Sequence, residues 1–172
     1  MLSLNANIDA VVEQYLEKNI SYTSNYTGIE DITKEVQILS AEMVDSEGKI
    51  SDYFSHKEDI HIKIKVKNLS IKKGIVCSLG LQDRLERKVF TDQIELEPNS
   101  GTTIYQVRLP SGLLMPNKLS ISLALHVPNK ELIEFIENAL NFEIVDQGNE
   151  FSIYGNVDNG VIYSNLKWST QS

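Results

Sequence analysis

The stretch HIKIKVK, residues 61–67, alternates polar and apolar side chains at every step. Ile62, Ile64 and Val66 share one face. His61, Lys63, Lys65 and Lys67 share the other, which is the period of a half-buried strand. The same period recurs on both sides of it. EVQILSAEMVD (35–45) precedes it and stops at the turn residues DSEGK. GIVCSLGLQD (74–83), KVFTDQIEL (88–96), TTIYQVRLP (102–110), KLSISLALHV (118–127) and LNFEIVD (140–146) follow. FSIYGNV (151–157) and GVIYSNLKW (160–168) end the series, with Asn159-Gly160 between them as a hairpin signal.

Two segments break the pattern. NIDAVVEQYLE (7–17) spaces Ile8, Val11, Val12, Tyr15 and Leu16 as a short helix that Asn7 caps. A polar stretch, 18–31, then reads as a linker or a loosely docked arm. Within the strand region, NKELIEFIENAL (129–140) spaces Leu132, Ile133, Ile136 and Leu140 for one or two helical turns, with Asn129 as the cap. Short strands with frequent turns and almost no helix predict an all-β, immunoglobulin-like β-sandwich over residues 33–172, preceded by a helix and linker over 1–32.

Composition bounds the partners. A formal net charge of -8 argues against general nucleic-acid binding and against an anionic membrane surface, both of which select for excess Lys and Arg. Cys77 is the only cysteine, so no internal disulfide can form. With no apolar leader, this favours a reducing cytoplasm.

The chemistry-bearing motifs are missing. There is no phosphate-cradling glycine loop, no G-x-S-x-G elbow and no paired His or Cys spacing, so neither a catalytic residue nor a cofactor or metal is expected. His56, His61 and His126 are scattered, and Cys77 sits mid-strand as a structural thiol. An enzyme therefore has no support in the sequence.

The strand from residue 33 is the first in immunoglobulin order. The strands at 74–83, 88–96, 118–127 and 140–146 are then the third, fourth, sixth and seventh, and they share a sheet. Alternation sends Ile75, Cys77, Leu79, Leu81, Leu119, Ile121, Leu123 and Leu125 inward. It leaves Val76, Ser78, Gly80, Gln82, Ser120, Ser122, Ala124 and His126 outward, in a trough of small and hydroxyl-bearing residues. Arg87, Thr91, Gln93, Asn141 and Glu143 would form its rim. Such a trough suits an extended neutral ligand with many hydroxyls, and a sugar polymer is one. Periodicity alone favours an ordinary solvated face, since small residues are what solvent-facing strands carry. The lysine row falls on the other sheet, where it keeps a solvated face soluble and pairs across strands.

Several pieces, taken in order, resemble one family. They are VVEQYL (11–16), ITKEVQILSAEMVDSEGK (32–49), GLQDRLERKVFTDQ (80–93), LPSGLLMPNKLSISLAL (109–125), LIEFIENALNFEIVD (132–146) and GVIYSNLKWS (160–169). Together they are similar to the C-terminal carbohydrate-binding domain of Wzt-type proteins, the ATP-binding subunits of O-antigen polysaccharide ABC transporters. Glu86 departs from the turn glycine usual there. The resemblance implies a non-catalytic module that binds a bacterial surface polysaccharide for export. The site residues expected for it come from the alternation and not from the resemblance: Ser78, Gln82, Ser120, Ser122 and His126. The resemblance also implies a homodimer through an exchanged C-terminal strand, where the Asn159-Gly160 signal predicts an intrachain hairpin instead. The implied partners are the nucleotide-binding and membrane subunits of a transporter at the cytoplasmic side of the inner membrane. The alternative is a protein-interaction sandwich that binds no glycan.

Overall fold

A computed structural model describes residues 23–148, 160–164, 166 and 168–170. Among them run nine strands: β1 (Asn25–Thr27), β2 (Val36–Val44), β3 (Tyr53–Ser55), β4 (Ile60–Asn68), β5 (Val76–Asp83), β6 (Lys88–Glu95), β7 (Gly101–Leu109), β8 (Asn117–Val127) and β9 (Glu131–Val145). One sheet has the order β1-β2-β4-β7 and the other β3-β9-β8-β5-β6. Every pairing is antiparallel except β3 with β9. The four strands expected to share a sheet, now β5, β6, β8 and β9, do so.

Alternation builds the core. From β4 the faultless period sends Ile62, Ile64 and Val66 inward, and Ile62 is 0% exposed. They join Leu79 and Leu81 of β5, Leu119, Ile121, Leu123 and Leu125 of β8, and Phe142 of β9 in one cluster. Each large aliphatic side chain removed from water in this way contributes about 1.5–3 kcal/mol. Phe54 of β3 meets Phe142 edge to face, with ring centroids 6.1 Å apart. Cys77 lies in the same core, and burial pushes its thiol up to about 12, which keeps it protonated and unreactive.

The lysine row is only partly the solvated face expected. Lys63 sits opposite Glu42 on β2, with Nζ 3.6 Å from the carboxylate, and Lys65 is exposed. Lys67 is instead buried. Its ammonium donates to the Asp31 carbonyl at 2.8 Å and lies 3.4 Å from the Glu30 carboxylate. Gln37, its cross-strand neighbour, accepts from the Asp31 N–H at 2.9 Å and donates to the Ile29 carbonyl at 2.8 Å. These contacts hold the segment ahead of β2 against the sheet. The polar stretch before it contains β1, which pairs with β2 through Asn25–Glu42, Tyr26–Ala41 and Thr27–Ser40. The segment read as an N-terminal helix lies outside the described residues.

The helix expected over 129–140 is a strand. Residues 131–145 form β9, the longest strand, paired with β8. Asn129 is not a cap. It takes the left-handed conformation, φ 60°, in the tight turn where the Lys130 N–H donates to the Val127 carbonyl at 3.0 Å. The false helical spacing has a definite cause. The β8–β9 register shifts between Leu125 and His126 and again between Ile121 and Leu123. The first shift adds one residue to β9 and swaps which parity faces inward; the second adds two, around the left-handed Asn138, and leaves parity unchanged. Ile133, Ile136 and Leu140 therefore all lean on the core at intervals of three and four.

One side chain of this irregular half secures the other sheet. Glu134 accepts the Ile38 N–H at 2.7 Å, and its other oxygen lies 3.3 Å from Lys34 Nζ. Ile38 flanks a bulge in β2, where the ladder to β4 skips a residue. The carboxylate thus serves a backbone donor beside a break in the ladder.

Candidate functional site

The outward positions of β5 and β8 lie side by side in register. Gln82 faces Ser120, Gly80 faces Ser122, Ser78 faces Ala124 and Val76 faces His126. β6 extends these rows on one flank, with Gln93 opposite Ser78, Thr91 opposite Gly80 and Lys88 opposite Gln82. β9 extends them on the other, with Asn141 opposite Ser120, Phe135 opposite Ala124 and Leu132 opposite His126. Neighbouring strands stand about 4.8 Å apart, so the four strands make a shallow surface roughly 15 Å across.

The floor of this surface is low because its residues are small. Gly80 lies at its centre. A Cβ there would come no closer than 3.9 Å to Thr91 Oγ1 and 4.0 Å to the Ser122 carbonyl, which is ordinary contact. The glycine is not required by packing; it leaves space above the sheet.

The five residues singled out from the sequence occupy one face, but in different environments. Ser78, Gln82, Ser120 and His126 are half-buried. Ser122 is buried, and its hydroxyl is engaged by the fold. It lies 3.3 Å from Gln82 Oε1, to which it donates, and it accepts the Asn138 N–H at 3.1 Å. Asn138 is the left-handed residue, φ 49°, of the β9 bulge, so Ser122 anchors that bulge. Gln82 is half-buried, and this bond uses its amide oxygen and not its two N–H donors.

The rim also differs from expectation. Thr91, Gln93 and Asn141 border the trough. Arg87 turns back to the β5–β6 hairpin, where its Nε donates to Asp83 Oδ2 at 2.7 Å. Asp83 is buried and also accepts the Leu85 and Arg87 N–H groups at 2.9 Å. Burial pushes its pKa up, but these hydrogen bonds outweigh burial and hold the carboxyl below its ordinary range. Glu143 lies one row beyond, between Lys118 of β8 and Tyr53 of β3.

Phe135 and Leu132 are what the sequence reading missed. Both stand exposed on the outer face, at 56% and 65%. A helical assignment for 129–140 hid their parity. The Pro128-Asn129 pair just before them is a turn signal that could have revealed a hairpin.

Among the described residues no group of three or more His, Cys, Asp or Glu side chains could hold a metal ion. No helix among them is long and apolar enough to cross a membrane. The features described define an all-β domain of two sheets that offers a broad sheet face as its surface. Residues 29–158 match the Wzt C-terminal domain family, and the chain belongs to that family. The crystal structure of the C-terminal domain of Wzt shares the fold, with a TM-score of 0.63 at 8% identity over 91% of this chain and 95% of that one. A Parabacteroides merdae beta-glucuronidase matches less well, with a TM-score of 0.42 at 14% identity over 64% of this chain and 13% of that one. A Listeria innocua beta-glucosidase in complex with glucose has a TM-score of 0.37 at 15% identity over 62% of this chain and 16% of that one. No curated protein matches the chain.

Proposed function

We propose that this chain is a non-catalytic carbohydrate-binding module that recognises an O-antigen-type surface polysaccharide for export by an ABC transporter. Membership of the Wzt C-terminal domain family supports the transporter context. The observation that carries the reading is the outer face of β5 and β8, where Ser78, Gln82 and Ser120 stand around the open floor at Gly80. Neutral amides and hydroxyls exchange hydrogen bonds with sugar hydroxyls at little desolvation cost, since no unpaired charge has to be buried. His126 adds an imidazole at one end of the same face. On this reading the sandwich is immunoglobulin-like, residues 1–32 lead from a nucleotide-binding domain, and the module works at the cytoplasmic side of the inner membrane beside the transporter's membrane subunits.

The same reading includes a homodimer through the C-terminal strand. Within one chain, the Met115 N–H donates to the Val161 carbonyl and the Tyr163 N–H to the Leu113 carbonyl, both at 2.8 Å. The first residue of the Asn159-Gly160 signal lies outside the described residues. Beyond this bridge Trp168 is 94% exposed and Leu166 70% exposed. That exposed pair favours a second reading, in which the domain binds another protein chain through its tail and takes no glycan.

Titration of the purified domain with polysaccharide isolated from the source strain, followed by amide chemical shifts, separates the two. Shifts confined to the Ser78, Gln82 and Ser120 strands are expected. An intact spectrum that does not move at millimolar sugar would remove the glycan reading and leave the interaction module.

A further inference from the structure

The outer face of the five-stranded sheet is chemically divided. Towards one end its rows are polar, with Asn141, Ser120, Gln82 and Lys88 side by side. Towards the other end Phe135 lies beside Ala124 and Ser78, and Leu132 beside His126 and Val76. Phe135 shows more than half its surface to solvent, although a ring of its size is ordinarily drawn into a core. Ile133 and Ile136 of the same half-strand are packed against the core, and Phe135 is registered opposite the outward Ala124, so its exposure follows from its register and not from fraying.

We infer that Phe135 is a stacking platform for one sugar ring of the bound polymer, with Leu132 bordering it and Ala124 and Ser78 forming the lane alongside. This inference rests on the glycan reading of the same face. A pyranose has two chemistries: hydroxyls around its edge and clustered C–H groups on a face. The sheet presents both in order, an aromatic surface at the Ala124 row and amides and hydroxyls at the Ser120 row. Four residues of extended strand separate those rows, roughly 13 Å, so the ligand is an oligosaccharide stretch and not a single sugar. The unit over Phe135 must expose a C–H face free of bulky substituents. A protein partner fits this patch poorly. Two apolar side chains among small and polar neighbours fall far short of the ~800 Å² per partner of a stable protein interface.

The experiment compares the wild-type chain with Phe135→Ala and Phe135→Tyr, using polysaccharide from the source strain as the probe. Phe135→Ala is expected to bind about tenfold more weakly, and Phe135→Tyr to bind like the wild type. Upfield shifts of sugar C–H protons, caused by the ring current, are expected with the wild type and with Phe135→Tyr and are absent with Phe135→Ala. Because Phe135 is exposed, circular dichroism should show all three folded. If the polymer shifts the Gln82 and Ser120 amides equally in wild type and Phe135→Ala, the platform is refuted while the glycan reading stands. If it shifts no amide in the wild type, the glycan reading falls and the platform with it. If Phe135→Ala proves unfolded, Phe135→Leu gives the same decision, since leucine preserves apolar bulk without a ring.

Discussion

Lys67 donates its ammonium to the backbone carbonyl of Asp31 at 2.8 Å, from a position on β4 that is almost closed to solvent. The last lysine of a regular polar row is thereby a tether, with Glu30 3.4 Å away as its counter-charge. Replacing Lys67 with methionine keeps the aliphatic stem and removes both contacts. The expected cost is about 2 kcal/mol in urea denaturation, as for other charge-assisted hydrogen bonds. Amide exchange over residues 28–33 should accelerate more than exchange in the core strands. Uniform acceleration would argue against a local tether.

Glu134 performs a similar task from the opposite sheet. Its carboxylate is the acceptor for the Ile38 N–H at 2.7 Å beside the β2 bulge. Glu134→Ala leaves that donor unserved and is expected to lower stability by roughly 1–3 kcal/mol. Glu134→Gln keeps an acceptor oxygen and should recover most of the loss. Chemical denaturation of both variants checks this, and equal losses would mean that the charge beside Lys34 matters more than the acceptor.

The β5–β6 hairpin predicts acid sensitivity. Despite its burial, the hydrogen bonds from Arg87 and Leu85 keep the Asp83 pKa below the ordinary 3.8. Asp59, through the Ser111 N–H, and Asp31, through Thr33, are lowered as well. A carboxyl with a depressed folded pKa stabilises the fold above its unfolded value. That contribution is lost as pH falls through the folded value. Thermal midpoints measured from neutral pH down to about pH 2 should therefore hold above pH 4 and drop below it. In Asp83→Asn the drop should be shallower, from a lower starting midpoint.

Gly80 offers a way to close the trough without disturbing the core. A Cβ at this site meets nothing nearer than 3.9 Å, and valine favours a strand where glycine does not. Gly80→Val is expected to match or exceed the wild-type melting temperature while losing most affinity for the polysaccharide, measured by isothermal titration. Retained affinity would move the binding surface away from β5 and β8.

The sequence discloses the fold wherever the period is unbroken. Ile62, Ile64 and Val66 on β4 and Leu119 to Leu125 on β8 face inward as their alternation requires. It misleads where a bulge resets parity. Two register shifts on β9 place Ile133, Ile136 and Leu140 at helical intervals, and a periodicity argument has no means of separating the two. The trough was legible because it lies on the regular strands. Its aromatic end was not, since Phe135 belongs to the irregular one. Ser122 could be assigned to the outer face but not to the Asn138 bulge that occupies its hydroxyl, because that contact joins residues 16 apart across a register break. Nor does alternation reveal that Lys67 is covered, since the cover comes from a polar arm with no period of its own.

The bulge at Asn138 divides β9 into halves with different obligations. Beyond it, Leu140, Phe142 and Ile144 are committed to the interior. Before it, Leu132 and Phe135 look outward and support nothing beneath them. Exchanging those two side chains therefore changes what the sheet presents outward without unsettling what holds it up, so the outer surface can drift along a single strand while the architecture stands still.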